Sequence, residues 1–455
     1  MINQENVKRI KDIMFEKAKS AGFEAEILIH EEVSSSVSVK SQEIKELSNA
    51  LLDKVGVRVI KGKNEGFAST ESFDDESISN CIDDALAIAE VIERDIEMSL
   101  GELENYQDDM TFNEYVSDRF HQASTDDMRT KALKLEKEAS SIDDRIFSVM
   151  ATACSKGQSK ETYLNSRGVE KSCASNSLDI YTYLGADNKV FKKTNYDVFS
   201  GHNMMDLDEK SFAKAIVDDA IALLDAKSIP SQKIPVLLSR EQAPRFIGAL
   251  TGALSAKAID QKTALFGMCE GEQIASKIIT IRDRPRLENH AAATPFDSEG
   301  YPTSDKVLIE KGVCKTILTD KYHAEKMKLP HTANGQRSPG SPVGIGAHLL
   351  SVDLGDKTFE ELVNIYPKVF VVDDFGGSPS AVTGEFSGPA EGHLYENGKR
   401  KHALHDVAIA GNLKEVVKNI VALGNEYKPN YSGRIQCPYI LVSQMDLSGT
   451  DSTDK

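Results

Sequence analysis

The sequence predicts an α+β fold in two parts: an N-terminal α/β domain over residues 1–229 and a mainly antiparallel β domain over 230–447. A short polar tail, 448–455, is expected to be disordered. Three observations carry this reading. The chain is 455 residues long, beyond the size at which one hydrophobic core keeps growing. Up to residue 229, helical and alternating apolar patterns take turns. From Pro230 onward, short apolar runs are separated by glycine and proline turns, which is the texture of an antiparallel sheet.

Asn3 is placed to cap a helix whose apolar residues Val7, Ile10, Met14 and Ala18 recur at helical spacing, and Gly22 is placed to end it. Strand patterns follow at 24–29, at 36–47 with Val37, Val39 and Ile44, and at 55–70, the last broken by a turn around Gly62 and Gly66. A second helix over 76–93 carries Ile78, Ile82, Ala85 and Ala89 on one face. The order then recurs: a helix near 126–140, strands at 146–153, 158–165 and 177–184, and a helix at 209–225. Asp83-Asp84-Ala85-Leu86-Ala87 is echoed by Asp218-Asp219-Ala220-Ile221-Ala222. The echo points to a duplicated helix–sheet–helix unit, joined by the acidic stretch 101–118. In the second part Asn397-Gly398 supplies a tight hairpin turn, and one helix is expected near 412–423.

Fifty-four basic against seventy-one acidic residues give a net charge of −17, which repels phosphate backbones and argues against direct nucleic-acid binding. Apolar runs such as Ile234 to Leu238 and Val369 to Val372 are too short to span a bilayer, so no membrane association is expected. Glu5, Lys8 and Arg9 stand where a signal peptide needs an unbroken apolar core, and a cytoplasmic protein is expected. The six cysteines lie far apart and form no C-x-x-C pair, which argues against both a disulfide framework and a zinc ribbon and for buried, reduced thiols.

A metallopeptidase helix of the H-E-x-x-H type is absent. His30-Glu31 begins like one, but Ser34 and Ser35 follow where the second histidine belongs, and the setting reads as a solvated strand end. His402 and His405 fall in a strand and are expected on opposite faces. His323 and His331 flank a loop around Pro330 and are expected at the surface. No G-x-S-x-G elbow is present, and Gly344-Ile345-Gly346 lacks the third glycine of a nucleotide loop. An unorthodox metal-dependent peptidase site would draw on His290, Asp297 and Glu299, which lie close together in a glycine-bounded loop. Loop carboxylates are expected to be solvated, which weighs against it.

Four stretches, in their order and spacing, resemble the TldD/PmbA metallopeptidase family, in its PmbA/TldE branch. They are Thr294-Pro295-Phe296-Asp297-Ser298-Glu299-Gly300, Val382-Thr383-Gly384-Glu385-Phe386-Ser387, Glu396-Asn397-Gly398 and Ile409-Ala410-Gly411-Asn412-Leu413-Lys414. Together with the element order of the first part, the resemblance covers nearly the whole chain. It implies a barrel-like second domain and a dimer with a substrate chamber between subunits. In catalytic members an H-E-x-x-x-H helix follows the first strand of that domain, and a C-terminal cysteine completes the metal site.

Here the strand is 235–238, and Ser239-Arg240-Glu241-Gln242 has the form of a capping box opening the next helix. Gly248-Ala249-Leu250-Thr251-Gly252-Ala253 stands at the motif position. Gly248, Ala249 and Ala253 offer a metal no side-chain donor, and Ala249 cannot serve as a base. Gly248, Gly252 and Ala256, spaced by four, are read instead as a face for close packing. Cys437 resembles the C-terminal ligand, a vestige without histidine partners that is expected to be a small buried residue.

The resemblance therefore implies a non-catalytic subunit with no cofactor of its own, and zinc or iron on its partner. That partner is a TldD-like catalytic subunit in a heterodimer, or a second copy of this chain in a homodimer, and the substrate is unfolded peptide. Candidates for the substrate groove are Asp297, Glu299, Gly300, Gly384 and Asn412. The family's gyrase-modulator label implies a regulatory alternative, in which a basic protein surface rather than DNA is bound.

Overall fold

The computed structural model describes residues 2–450 apart from 109, 111, 113–122, 202, 429, 431 and 432. The end of the polar tail, 451–455, and residues 109, 111 and 113–118 of the acidic connection thus lie outside the described residues. The Asn3 side chain accepts the Asn6 N–H at 2.8 Å and opens helix α1 (Gln4–Ser20), which buries Ile10, Met14 and Ala18. Gly22, at φ +75°, ends it.

Strand β1 (Glu24–Lys40) turns at Ser41-Gln42 into β2 (Glu43–Thr70). The expected strand 36–47 is therefore the two sides of a hairpin, and β2 runs unbroken through Gly62 and Gly66. Both turn residues have positive φ, 57° and 58°, without the glycine that usually marks such a turn. A distant side chain holds it: the Gln42 N–H donates to Glu136 at 2.8 Å, and the Ser41 N–H donates to the other oxygen of the same carboxylate. Helix α2 (Asp75–Ala89) starts at an Asp74 cap and stops before the expected end, giving way to β3 (Glu93–Met98).

The second set begins with α3 (Thr125–Ser141), opened by a Ser124/Asp127 capping box. It continues through β4 (Ile146–Asn165), β5 (Glu170–Asp187) and β6 (Lys192–Gly201) to α4 (Glu209–Ala222). β4 joins two expected strands, and β6 has no counterpart in the sequence reading. The six strands form one antiparallel sheet ordered β3-β2-β1-β4-β5-β6. Its centre is the pairing of β1 with β4, from Glu26↔Asn165 to Val39↔Thr152. A helix–hairpin–helix arrangement thus occurs twice around that pairing. Ile10, Ile27, Val57 and Ile82 belong to one core, and Val37, Met128, Ile180 and Ile216 to the other.

The C-terminal part is built on β7 (Gln232–Leu238), β8 (Lys368–Phe375), β9 (Glu385–Glu396), β10 (Lys399–Asn412) and β11 (Ile440–Ser448). The order β10-β9-β8-β7-β11 closes when β11 pairs back onto β10 at Ala408↔Ser448. Only the β7–β8 pair is parallel. The result is a closed five-stranded barrel, which leaves no sheet edge among these five strands. Asn397 and Gly398, at φ 49° and 72°, make the expected hairpin turn between β9 and β10. The expected helix 412–423 is shorter, Leu413–Lys418, because the chain turns into the strand Ile420–Leu423 beside β11. No helix among the described residues is long and apolar enough to cross a membrane.

Two expectations about helix α5 (Ala243–Gly252) are corrected. The Ser239/Gln242 capping box does not form: the Ser239 hydroxyl is buried without a partner, and the Gln242 amide donates to the Asp373 carbonyl at 3.0 Å. Nor do Gly248, Gly252 and Ala256 make one packing face. α5 ends at Gly252, and the Ala256 N–H pairs with the Leu318 carbonyl at 2.9 Å as a separate short helix begins. Gly252 is exposed, and the nearest atom to a Cβ built there is Ala381 Cβ at 3.9 Å.

Candidate functional site

The sheet face opposite the helices, which β-strand alternation would leave polar and solvated, carries charged side chains that are buried. Glu26 on β1, and Arg58 and Glu65 on β2, are all buried. Arg58 sits at the centre. Its guanidinium reaches Glu65 at 2.6 Å, Glu26 at 3.0 Å and Glu299, from the C-terminal part, at 3.1 Å. Arg337, also from that part, lies 3.0 Å from Glu26, and the Tyr163 hydroxyl donates to the other Glu26 oxygen at 2.8 Å. Arg94 supports Glu65 at 2.6 Å. Charges can be held this far from water only because each is paired; Arg337 is the least satisfied, its Nε donating to the Ser298 carbonyl at 3.2 Å while its two Nη atoms make no hydrogen bond.

The loop that delivers Glu299 is shaped by Asp297. One Asp297 oxygen accepts the N–H groups of Glu299 and Tyr301, and the other accepts the Gly335 N–H, each at 3.0 Å. Gly300, at φ +82°, makes the bend, and a Cβ there would sit 2.2 Å from the Tyr163 ring. A second close approach joins the two parts, since a Cβ on Gly56 of β2 would lie 2.2 Å from the Gly340 nitrogen. Tyr106 stacks on Tyr301 at 4.7 Å. Beside the charged cluster lies a small cavity lined by Tyr106, Tyr301, Tyr322 and Lys321 along with Arg58 and Glu299.

Asp297 and Glu299 are not solvated loop carboxylates, as the sequence reading expected: both are buried. Burial pushes Glu299 up to about 7, against the opposing pull of Arg58. Burial and the neighbouring Glu299 push Asp297 above the ordinary carboxylate range. The two carboxyls thus tend to hold a proton near neutrality.

His290 does not join them; its ring contacts the Asn430 carbonyl and accepts the Ala292 N–H. His331 does, and potential ligand atoms of Asp297, Glu299 and His331 lie within 4.8 Å of one another. Desolvation lowers the His331 ring to about 4, although an edge of the residue is exposed. Those carboxylate oxygens already serve Arg58 and four backbone N–H groups, including that of Lys321. The arrangement suits a structural joint that stores a proton better than a metal cage.

The other predicted residues are elsewhere. Gly384 and Asn412 meet where β9 begins and β10 ends: Gly384 is at φ +79°, and Asn412 donates to Thr383 and Glu385 while capping the helix that follows. They share no hydrogen bond or ion pair with the Asp297 loop. His323, expected at the surface, is buried on a short helix, its Nδ1 2.7 Å from Asp320. His30-Glu31 is no strand end. It lies within the seventeen residues of β1, and Glu31 is buried and accepts the Ile2 N–H.

At the metal-motif position the structure brings α5 to the Ile435–Gln436 strand, with Ile435 Cδ1 3.2 Å from a Cβ built on Gly248. Cys437 follows that strand, buried in the C-terminal core, and desolvation pushes its thiol up. Gly248, Ala249 and Ala253 bring no donor, and a thiol held in its neutral form is a poor ligand. The residues here do not fit a catalytic metal.

Two models of one family match the chain: the PmbA/TldA metallopeptidase C-terminal domain over residues 231–449, and domain 1 of the same family over 25–89. The chain belongs to the PmbA/TldD metallopeptidase family. Among its relatives, the PmbA homologue of Haemophilus influenzae, named a metalloprotease, is 27% identical over 98% of this chain and 97% of its own. Metalloprotease PmbA of Escherichia coli O157:H7 is 26% identical over 93% and 92%. A Thermotoga maritima structure carrying the gyrase-modulator name superposes with a TM-score of 0.86 at 25% identity, over 97% of this chain and all of that one. Within the family, this chain stands with the PmbA and TldE members.

The sequence reading missed Glu26, Arg58, Glu65 and Arg337. The signal was present: Glu26 interrupts Ala25-Ile27-Leu28-Ile29, and Arg58 interrupts Val55 to Ile60. A charge inside an otherwise apolar strand must find a buried partner.

Proposed function

We propose that this chain is a PmbA/TldE-like subunit of a peptide-cleaving complex. In this reading it acts as partner and scaffold of a TldD-like subunit that carries the zinc or iron, and it helps to enclose unfolded peptide. The observation behind the reading is the donor chemistry at the motif position: Gly248, Ala249 and Ala253 can neither ligate a metal nor deprotonate water, and Cys437 stands alone beside them. Relatives named metalloprotease, among them a TldD homologue of Buchnera aphidicola that is 26% identical over half of each chain, support the setting.

The test is to purify the chain alone and together with a TldD-like chain from the same genome. The chain alone is expected to carry no stoichiometric zinc or iron and to leave unfolded casein intact, and the co-purified pair to cleave it in a chelator-sensitive way. About one metal per chain in the isolated protein, lost together with activity on chelation, would overturn the proposal.

One observation favours a second reading, an autonomous site at Asp297, Glu299 and His331, whose ligand atoms cluster. In that case Glu299→Gln removes the activity of the isolated chain, whereas the scaffold reading predicts no such activity to remove.

A further inference from the structure

A cavity of about 190 Å³ lies between the two halves, walled by β2 and β3 on one side and by the short helices Ala256–Asp260 and Lys321–Met327 on the other. Arg58 and Tyr322 separate it from the smaller cavity described above and line both. It has room for several waters or for one small organic molecule.

Most of the charges in its walls answer one another. Glu65 takes Arg58 and Arg94, and Lys326 takes Asp95 and Asp260. Three groups are left over. Lys257 forms no ion pair among the described residues, and its ammonium has only the Val343 carbonyl, at 3.4 Å. Asp320 and His323, which also line the cavity, are only 2% and 5% exposed. One Asp320 oxygen accepts the backbone N–H of His323 and lies 2.7 Å from the Nδ1 of its ring. The other Asp320 oxygen and the His323 Nε2 have no hydrogen-bond partner among the described residues, and neither atom is sealed off.

A carboxylate fixed on Nδ1 leaves Nε2 of the neutral ring as an acceptor. The cavity therefore presents a cationic donor, Lys257, together with two acceptors, of which Asp320 is anionic. A ligand of one sign would answer one of these charges and leave the other desolvated beside it, which is costly. A molecule carrying both an ammonium and a carboxylate answers both. We infer that this cavity binds a small zwitterion, a free amino acid, its ammonium held by Asp320 and His323 and its carboxylate by Lys257. The site is apart from α5 and independent of the scaffold reading above.

The experiment is equilibrium dialysis of the full chain against radiolabelled glycine, β-alanine and 4-aminobutyrate at millimolar concentration, three amino acids that differ in the distance between their charges. At least one is expected to bind saturably, one per chain, and not to be displaced by equal concentrations of acetate or methylamine, which each carry one of its two charges. Lys257→Met keeps the stem of the side chain, and Asp320→Asn keeps a residue that caps a helix, so both should show wild-type circular dichroism. Each is expected to weaken binding about tenfold or more, as loss of a hydrogen bond to a charged group does. Should Asp320→Asn fail to fold, Lys257→Met, on a half-buried side chain, still decides. No saturable binding overturns the inference, as does a folded Lys257→Met that binds like the wild type. Displacement by acetate alone would make this a plain anion site, and displacement by methylamine alone a plain cation site; either result overturns it too.

Discussion

Replacing Arg58 by methionine keeps most of the buried volume and removes the charge shared by three carboxylates. The loss is uneven. Glu26 retains Arg337 at 3.0 Å, and Glu65 retains Arg94 at 2.6 Å. Glu299 retains only the Lys321 N–H at 3.0 Å. One buried carboxylate is therefore stranded, and breaking a buried pair in this way costs about 3–5 kcal/mol.

Unfolding entropy is about 2.1 cal/mol/K per residue, so a cooperative chain of 455 residues loses roughly 1 °C of Tm per kcal/mol. Arg58→Met is thus expected to lower Tm by about 3–5 °C at pH 8. The deficit should shrink in acid. Glu299 titrates at about 7 in the folded protein, above its ordinary 4.5, so it stabilises the fold when protonated and loses that contribution as pH rises through 7. Without Arg58 its pKa climbs further. At pH 5 the variant then strands no carboxylate and lacks only the Arg58 pairs to Glu26 and Glu65, each of which keeps a second arginine, about 1–2 kcal/mol. Differential scanning calorimetry at the two pH values reads the difference. An equal drop at pH 5 and pH 8, or none at pH 8, would refute the assignment of Glu299 as the stranded group.

Two glycines give predictions of opposite kind. Gly300→Ala drives a Cβ to 2.2 Å from Tyr163 at a left-handed φ, whereas Gly168→Ala, at φ +96°, meets nothing within 4 Å; Gly300→Ala should therefore be much the less stable in urea, Gly168→Ala losing only about 1–2 kcal/mol of backbone strain. Gly252→Leu, on the exposed end of α5, should leave stability within about 0.5 kcal/mol; a large loss would show that another chain packs against that glycine.

Helix α1 was legible because its cap, spacing and stop residue are all local, and so was the Asn397-Gly398 turn. The Ser41-Gln42 turn was not, because its stabiliser, Glu136, lies far along the chain. Spacing of four suggested a packing face through Gly252, but the Ala256–Leu318 hydrogen bond ends the helix first. The absence of metal donors in α5 could be read from residue identity alone. The role of Asp297 and Glu299 could not, because loop composition says nothing of what packs over a loop. β6, with Lys192, Lys193 and Asn195, alternates too weakly to announce a strand and is held by its register against β5.

The contact of Gly56 with Gly340 bears on how the molecule can move. Backbone rests on backbone there, next to ion pairs that would each need rehydrating if the surfaces parted. Swinging one half away from the other would thus carry a penalty at every opening, and the halves should travel as a single rigid piece. Hydrogen exchange should accordingly find the amides of β2 around Gly56 among the slowest in the chain.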